Sequence, residues 1–121
     1  LLCFYGFSAE VPQLLQGFDI LVLPSVTTET FGLVLCEAMA CGKPVLATDT
    51  GGPAEIVRHR QTGLLIPPNA PEEMAAGLKE LATNRALATQ WGQTGKKLVQ
   101  EEFNLDRMIE RIERILSDCR E

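Results

Sequence analysis

The amino-terminal half of this 121-residue chain is nearly without cations: residues 1–57 hold six carboxylates and a single basic residue, Lys43, whereas residues 58–121 hold ten charges of each sign. The formal net charge is -5. That is the wrong sign for a surface that neutralises nucleic-acid phosphates, so no nucleic-acid partner is expected. An anion held by the first half must be met by backbone dipoles or by groups outside it.

No apolar run approaches the ~18–20 residues that span a bilayer, and no charged segment precedes a cleavable hydrophobic stretch. No transmembrane segment is expected. None of the four cysteines, Cys3, Cys36, Cys41 and Cys119, stands in C-x-x-C spacing. Cys3, Cys36 and Cys41 lie in apolar stretches, and the absence of ligand spacing favours reduced, packed thiols and a cytoplasmic setting over a disulfide frame or zinc site. Peripheral association of a longer protein with a membrane stays open. The chain also lacks an initiating Met, and Leu1 sits within an apolar run, as in a piece cut from a longer polypeptide.

What is present is ordinary globular material, 45% hydrophobic and 22% charged, with a length that suits one domain. Residues 1–5 and 19–24 (DILVLP) are continuous apolar runs and read as strands buried on two faces. Between them, 8–17 has a Ser cap, an early Pro, and Leu14, Leu15 and Phe18 at helical spacing. Residues 31–41 read as a helix closed by Gly42, 44–48 as a third strand, 53–60 as a short helix and 63–66 as a fourth strand. This alternation predicts an α/β fold, a Rossmann-like parallel sheet with helices on both faces.

Only helices follow. Pro71, Glu72 and Glu73 open one whose buried face is Met74, Leu78 and Leu81. Residues 87–103 form another, and Asn104 caps a last one striped by Met108, Ile109, Ile112, Ile115 and Leu116.

The helix over 31–41 is apolar almost all round, yet carries one carboxylate, Glu37. Burial there would require a hydrogen-bonding or cationic partner, and a bound polyol is one candidate. Eight positions earlier stands Glu29, in the loop leaving a strand. Between the two acids the helix start, with free N–H groups around Phe31 to Val34, forms an anion site. Glu37 lies about 7–8 Å beyond Gly32 along the axis, at ~1.5 Å per residue. Gly32 lets a ligand approach the backbone closely. Two hydroxyl-binding acids flanking a diphosphate site describe a pocket for a sugar nucleotide, at the carboxyl ends of the strands where open α/β sheets bind ligands.

The string Glu29-Thr-Phe-Gly-Leu-Val-Leu-Cys-Glu37-Ala-Met-Ala-Cys-Gly42-Lys-Pro-Val, then Gly51-Gly52-Pro-Ala-Glu55 and Thr62-Gly63-Leu-Leu-Ile-Pro67, resembles the carboxyl-terminal lobe of retaining GT-B glycosyltransferases of the family 4 type, over about residues 4–103. The resemblance implies that Glu29 contacts donor-sugar hydroxyls as the catalytic-site acid and that the backbone of Phe31 and Gly32 lines the sugar. It further implies that the Leu33 and Val34 amides face the diphosphate, that Glu37 holds the ribose, and that Gly6 and Phe7 lie near the base. The implied reaction is retaining transfer of a hexosyl group from a nucleotide diphosphate sugar to an acceptor, a sugar, lipid or small molecule, with no cofactor and no metal. The family's upstream strands, with their basic pair for the diphosphate, and its amino-terminal acceptor lobe are absent from this sequence, so the chain alone is expected to be inactive.

Other residues read more plainly. His59, between Arg58 and Arg60, reads as a surface residue rather than a base. Gly51 and Gly52 read as a tight strand-to-helix turn, which Glu55 helps fix, and Lys43 as a cation at a helix end. Trp91 reads as core. Two alternatives remain at this level: a GT-B sugar-nucleotide epimerase, which needs further acid/base groups and has no second His here, and a sugar-nucleotide-binding or interaction module without transferase activity.

Overall fold

The computed structural model describes residues 2–4, 6, 11–28, 32–102 and 105–118. In chain order the elements are α1 (Val11–Gln16), β1 (Leu21–Leu23), α2 (Leu33–Ala40), β2 (Val45–Thr48), α3 (Gly51–Ile56), β3 (Gly63–Ile66), α4 (Pro71–Thr83), α5 (Arg85–Glu102) and α6 (Leu105–Asp118). The strands form a parallel sheet in the order β1-β2-β3. Its register pairs Leu21 with Val45 and Leu23 with Ala47, then Val45 with Gly63 and Thr48 with Ile66.

Because side chains alternate along each strand, the sheet has two apolar faces. Leu21, Leu23, Val45, Ala47 and Leu65 pack on one side with Leu35 and Met39 of α2, Ile56 of α3 and Leu98 of α5. Ile20, Val22, Leu46, Leu64 and Ile66 pack on the other with Met74 and Leu81 of α4 and Trp91 of α5. This is the expected α/β layering with helices on both faces. Trp91 is core, as its spacing implies.

Local chemistry explains the ends of α2. Gly42 has φ 73°, and its N–H bonds the Met39 carbonyl while that of Lys43 bonds the Ala38 carbonyl. Those paired bonds are the left-handed closure that glycine makes available after a helix. The Lys43 ammonium reaches Gln16 and donates to its carbonyl at 3.1 Å, so its cation serves the end of α1 as well as that of α2.

The outer edge of β3 is covered by the segment before it. The Leu65 N–H donates to His59 Nδ1 at 3.0 Å, and the Arg60 N–H donates to the Gly63 carbonyl. Groups that would otherwise form an unpaired edge are satisfied, and the His59 ring serves there as an acceptor for the strand. Arg60 stacks over Trp91, 5.5 Å from the ring centroid, and forks onto the Glu80 carboxylate. Those hydrogen bonds hold the Glu80 carboxyl below its ordinary range and raise the Arg60 guanidinium.

Several sequence expectations are corrected. Residues 2–4 are not a strand, and Leu2 and Phe4 are exposed. No described strand pairs with them, and a strand without a hydrogen-bonded neighbour is not stable by itself. Cys3 is exposed rather than packed, Cys36 is buried and Cys41 half-buried, all three as free thiols; Cys119 lies outside the described residues.

The helix expected over 53–60 instead spans Gly51–Ile56, because the buried Thr62 hydroxyl captures the Arg58 N–H at 3.0 Å and turns the chain. Phe18 is exposed. Leu78 also leaves the core and lines, with Met74, Pro24, Val26 and Pro67, an apolar cleft of about 460 Å³. On α6, Ile115 and Leu116 are exposed. Among the described residues no helix is long and apolar enough to cross a membrane.

Candidate functional site

A helix that follows a parallel strand runs back antiparallel to it, so α2 and α3 both begin at the carboxyl edge of the sheet. Their starts meet at Gly32. This buried N-cap of α2 has φ 72° and ψ 49°, in the left-handed region. A Cβ built there would lie 3.1 Å from Leu35 Cδ1, 3.5 Å from Pro53 Cγ and 3.7 Å from Leu23 Cδ2. Sequence reasoning assigned this glycine to ligand approach, but the structure supplies a prior cause: its dihedral angles and its packing between β1 and α3.

Gly32 offers no side chain to cap the helix. Its carbonyl takes the Leu35 N–H at 2.9 Å, leaving the Leu33 and Val34 amides in the first turn, where the helix has no internal acceptor for them. Leu33 is 62% exposed and Val34 half-buried. Glu37 follows at i+4 and i+3 from these two, so all three lie on the face that α2 does not bury, opposite Leu35, Cys36, Ala38 and Met39.

Glu37 is half-buried rather than buried, and its carboxylate makes no hydrogen bond or ion pair with any described residue. Partial exposure spares it the full desolvation cost expected of a carboxylate on an apolar helix. Its charge and the burial of Cys36 together push the Cys36 thiol up, burial being the larger cause.

The α3 start adds a buried polar atom. Thr50, the N-cap of α3, is extended, its side chain makes no cap bond, and its Oγ1 is buried with no hydrogen-bond partner. Gly51 then turns with φ 44°, in keeping with the expected tight turn. Glu55 is exposed and its carboxylate bonds no described residue, while the turn is held by the glycine backbone and by Pro53 packing beneath Gly32.

Of the residues singled out from sequence, Gly32, Leu33, Val34 and Glu37 are thus brought together at one end of α2. Gly6 has φ 66° with no neighbour near its would-be Cβ. Glu29, Phe31 and Phe7 lie outside the described residues. Sequence reasoning did not single out Thr48 or Thr50. The signal for Thr48 was a hydroxyl closing a strand whose other residues are all apolar. Among the described residues no group of three or more His, Cys, Asp or Glu is placed to hold a metal ion.

Comparison with known proteins gives the family. The family model described as glycosyl transferases group 1 matches residues 2–98. An alpha-1,3/1,6-mannosyltransferase of Rhizomucor pusillus is 35% identical over 115 residues, which is 95% of this chain and 25% of that protein. N-acetyl-alpha-D-glucosaminyl L-malate synthase of Bacillus anthracis is 34% identical over 115 residues, 95% of this chain and 30% of its own length.

Among solved structures, Anabaena HepE in complex with UDP superposes with a TM-score of 0.92 at 31% identity, over 95% of this chain and 32% of that one. The carboxyl-terminal domain of a group 1 glycosyl transferase of Francisella tularensis gives a TM-score of 0.76 at 32% identity, over 86% and 53% respectively. The chain therefore spans about a quarter to a third of the length of these full-length relatives. With that family model matched over residues 2–98 and its described strands in a parallel sheet, this chain belongs to the glycosyl transferases group 1 family, whose fold is the GT-B type.

Proposed function

We propose that this chain is the donor-binding part of the carboxyl-terminal lobe of a retaining glycosyltransferase. It holds a nucleotide diphosphate sugar from which a hexosyl group passes to an acceptor carried elsewhere in the intact protein. The observation that carries this reading is a half-buried carboxylate, Glu37, with no partner among the described residues, three and four residues beyond two first-turn amides.

Amides at the positive end of α2 favour a diphosphate, and an ionised carboxylate, which only accepts hydrogen bonds, favours vicinal hydroxyls such as those of a ribose. Support comes from outside the chain as well: HepE, similar over most of this chain, has been solved with UDP and with UDP-glucose. In this reading Glu29 orients the donor sugar, the Phe31 and Gly32 backbone lines it, and Gly6 and Phe7 border the base.

As the bond to the leaving phosphate breaks, negative charge grows on the diphosphate. Dipoles aimed there before reaction stabilise the transition state more than the ground state. No step draws on a metal ion.

The test is calorimetric titration of the intact protein with UDP, in wild type and Glu37→Gln. An amide in place of the carboxylate exchanges charged hydrogen bonds for neutral ones and should weaken binding by ~1–3 kcal/mol. Unchanged affinity would remove Glu37 from the site.

A further inference from the structure

The amino ends of the strands frame a cavity at the edge of the sheet opposite the start of α2. The residues that lead into β1 and β2 meet the corner between α4 and α5 there, around a space of about 360 Å³. That volume falls within the ~300–1,000 Å³ of small-molecule sites.

The walls are held in place. Asn84, between α4 and α5, donates its N–H to the Glu80 carbonyl and accepts the Leu87 N–H on its side chain at 3.1 Å. Helix α5 then runs so close to the segment before β2 that a Cβ at Gly92 would strike the Gly42 carbonyl. The cavity is thus built into the packing of the two helices on the sheet.

Its lining divides by chemistry. Leu81 and Pro44 are buried and Ala88 half-buried, which makes an apolar floor. Asp19, Lys43 and Arg85 bring charges of both signs to the same space, and no two of them form an ion pair. The Lys43 ammonium gives one N–H to the Gln16 carbonyl at 3.1 Å and keeps its other donors. The Arg85 guanidinium and the Asp19 carboxylate bond no described residue. Arg58 and Arg60, by contrast, are each paired with a glutamate.

Two cations against one acid call for a ligand of net negative charge. The acid, which when ionised only accepts hydrogen bonds, calls for a donor on the same ligand. We propose that this cavity binds a small carboxylic acid that also carries a hydroxyl or ammonium group. The ligand's carboxylate lies against the Arg85 fork, whose geometry matches a planar carboxylate, with Lys43 beside it. Its donor meets Asp19, and its carbon skeleton covers Leu81 and Ala88. The site is separate from the donor site and does not rest on that reading.

The experiment follows the thermal midpoint of the intact protein as sodium L-lactate, L-glutamate or propionate is added in the millimolar range at constant ionic strength, since a ligand that binds only the folded state raises the midpoint. The expected result is a saturable rise with lactate, the hydroxyl source, or with glutamate, the ammonium source. Propionate, which has neither group, should bind about fivefold more weakly or worse. Arg85→Gln and Asp19→Asn each remove a charged hydrogen bond and should weaken the binding acid by a similar factor. Arg85 is exposed and bonded to no described residue, so its replacement should leave the fold intact and UDP affinity within about threefold of wild type.

No saturable rise with either acid, or unchanged affinity in Arg85→Gln, overturns the proposal. So does tighter binding in Asp19→Asn, which would show that the acid only repels an anion. Propionate binding as tightly as the other two also overturns it, because charge alone would then account for the site, and joint loss of UDP and the acid in Arg85→Gln overturns its separateness. A wild-type protein that binds lactate or glutamate but no UDP would refute the donor-site reading and leave this site standing.

Discussion

Replacing Gly32 by alanine tests whether the α2 start is set by backbone conformation. The residue sits at φ 72° and ψ 49°, where a side chain costs ~1–2 kcal/mol. The new Cβ would also lie 3.1 Å from a methyl of Leu35, whose side chain is fully buried and has little room to retreat. Against this, alanine restricts the unfolded chain and returns ~0.4–1 kcal/mol. The net expectation is a loss of about 1 kcal/mol. If the chain escapes by rotating out of the left-handed region, it gives up the 2.9 Å bond from the Leu35 N–H to the Gly32 carbonyl, so relaxation offers no cheap route. The two first-turn amides move with that carbonyl, and UDP affinity should fall about three- to tenfold, equivalent to ~0.7–1.4 kcal/mol. Gly17→Ala is the control, because a Cβ there meets only the Leu14 carbonyl at an ordinary 3.5 Å. Thermal unfolding and UDP calorimetry on the intact protein give both readouts. Equal stability and equal affinity for the two alanine variants would refute the reasoning.

Three further outcomes are expected. Glu29→Ala should lower turnover of the intact protein more than UDP affinity, since the product nucleotide lacks the sugar; a parallel fall in both, or in neither, contradicts the sugar-binding role. Thr50→Val should raise the unfolding midpoint by removing a buried hydroxyl that has no partner, a gain of about 1 kcal/mol, with valine suited to the extended backbone at φ -139°. Thiol alkylation of the native chain near pH 8 should modify the exposed Cys3 quickly and spare Cys36, whose burial both blocks access and pushes the thiol up. Equal labelling at both sites would contradict that burial.

Residues whose role depended on local rules were legible in the sequence. Gly42 closes α2 as its position implied, the strand over 63–66 appears with its predicted bounds, and Pro71 opens α4. Tertiary context decided the rest. Leu78 fits the apolar stripe of α4, but the adjoining surface is a cleft rather than a neighbouring element. The helix near residue 53 moved toward the amino terminus because a threonine hydroxyl nine residues further on competes for a backbone donor. At the site, the spacing of Gly32 and Glu37 gave their proximity on one helix, since helix geometry fixes it. Nothing in a linear pattern reports that Thr48 reaches Ser25, because that contact exists only once β1 and β2 lie side by side.

The placement of charge leads to the last prediction, that the isolated 121-residue chain does not catalyse transfer. Its first half has one cation, Lys43, and that ammonium is engaged with Gln16 beyond the carboxyl end of α2. The amides proposed to hold the diphosphate are at the other end, roughly 12 Å away for an eight-residue helix at ~1.5 Å per residue. Arg58 and Arg60 are committed to Glu102 and Glu80. With these three cations engaged elsewhere, the dipole of each helix end contributes ~0.3–1 kcal/mol at an exposed site, far less than a departing nucleotide requires. Holding donor and acceptor together can supply a further ~7–11 kcal/mol of barrier reduction, and this chain spans only 25% to 30% of the length of two relatives it matches. The purified chain, incubated with a panel of nucleotide sugars and acceptors, should therefore release no nucleoside diphosphate above a Glu29→Ala control, while the intact protein does. Multiple turnovers by the isolated chain that depend on Glu29 would show that helix dipoles suffice, and would overturn this electrostatic argument.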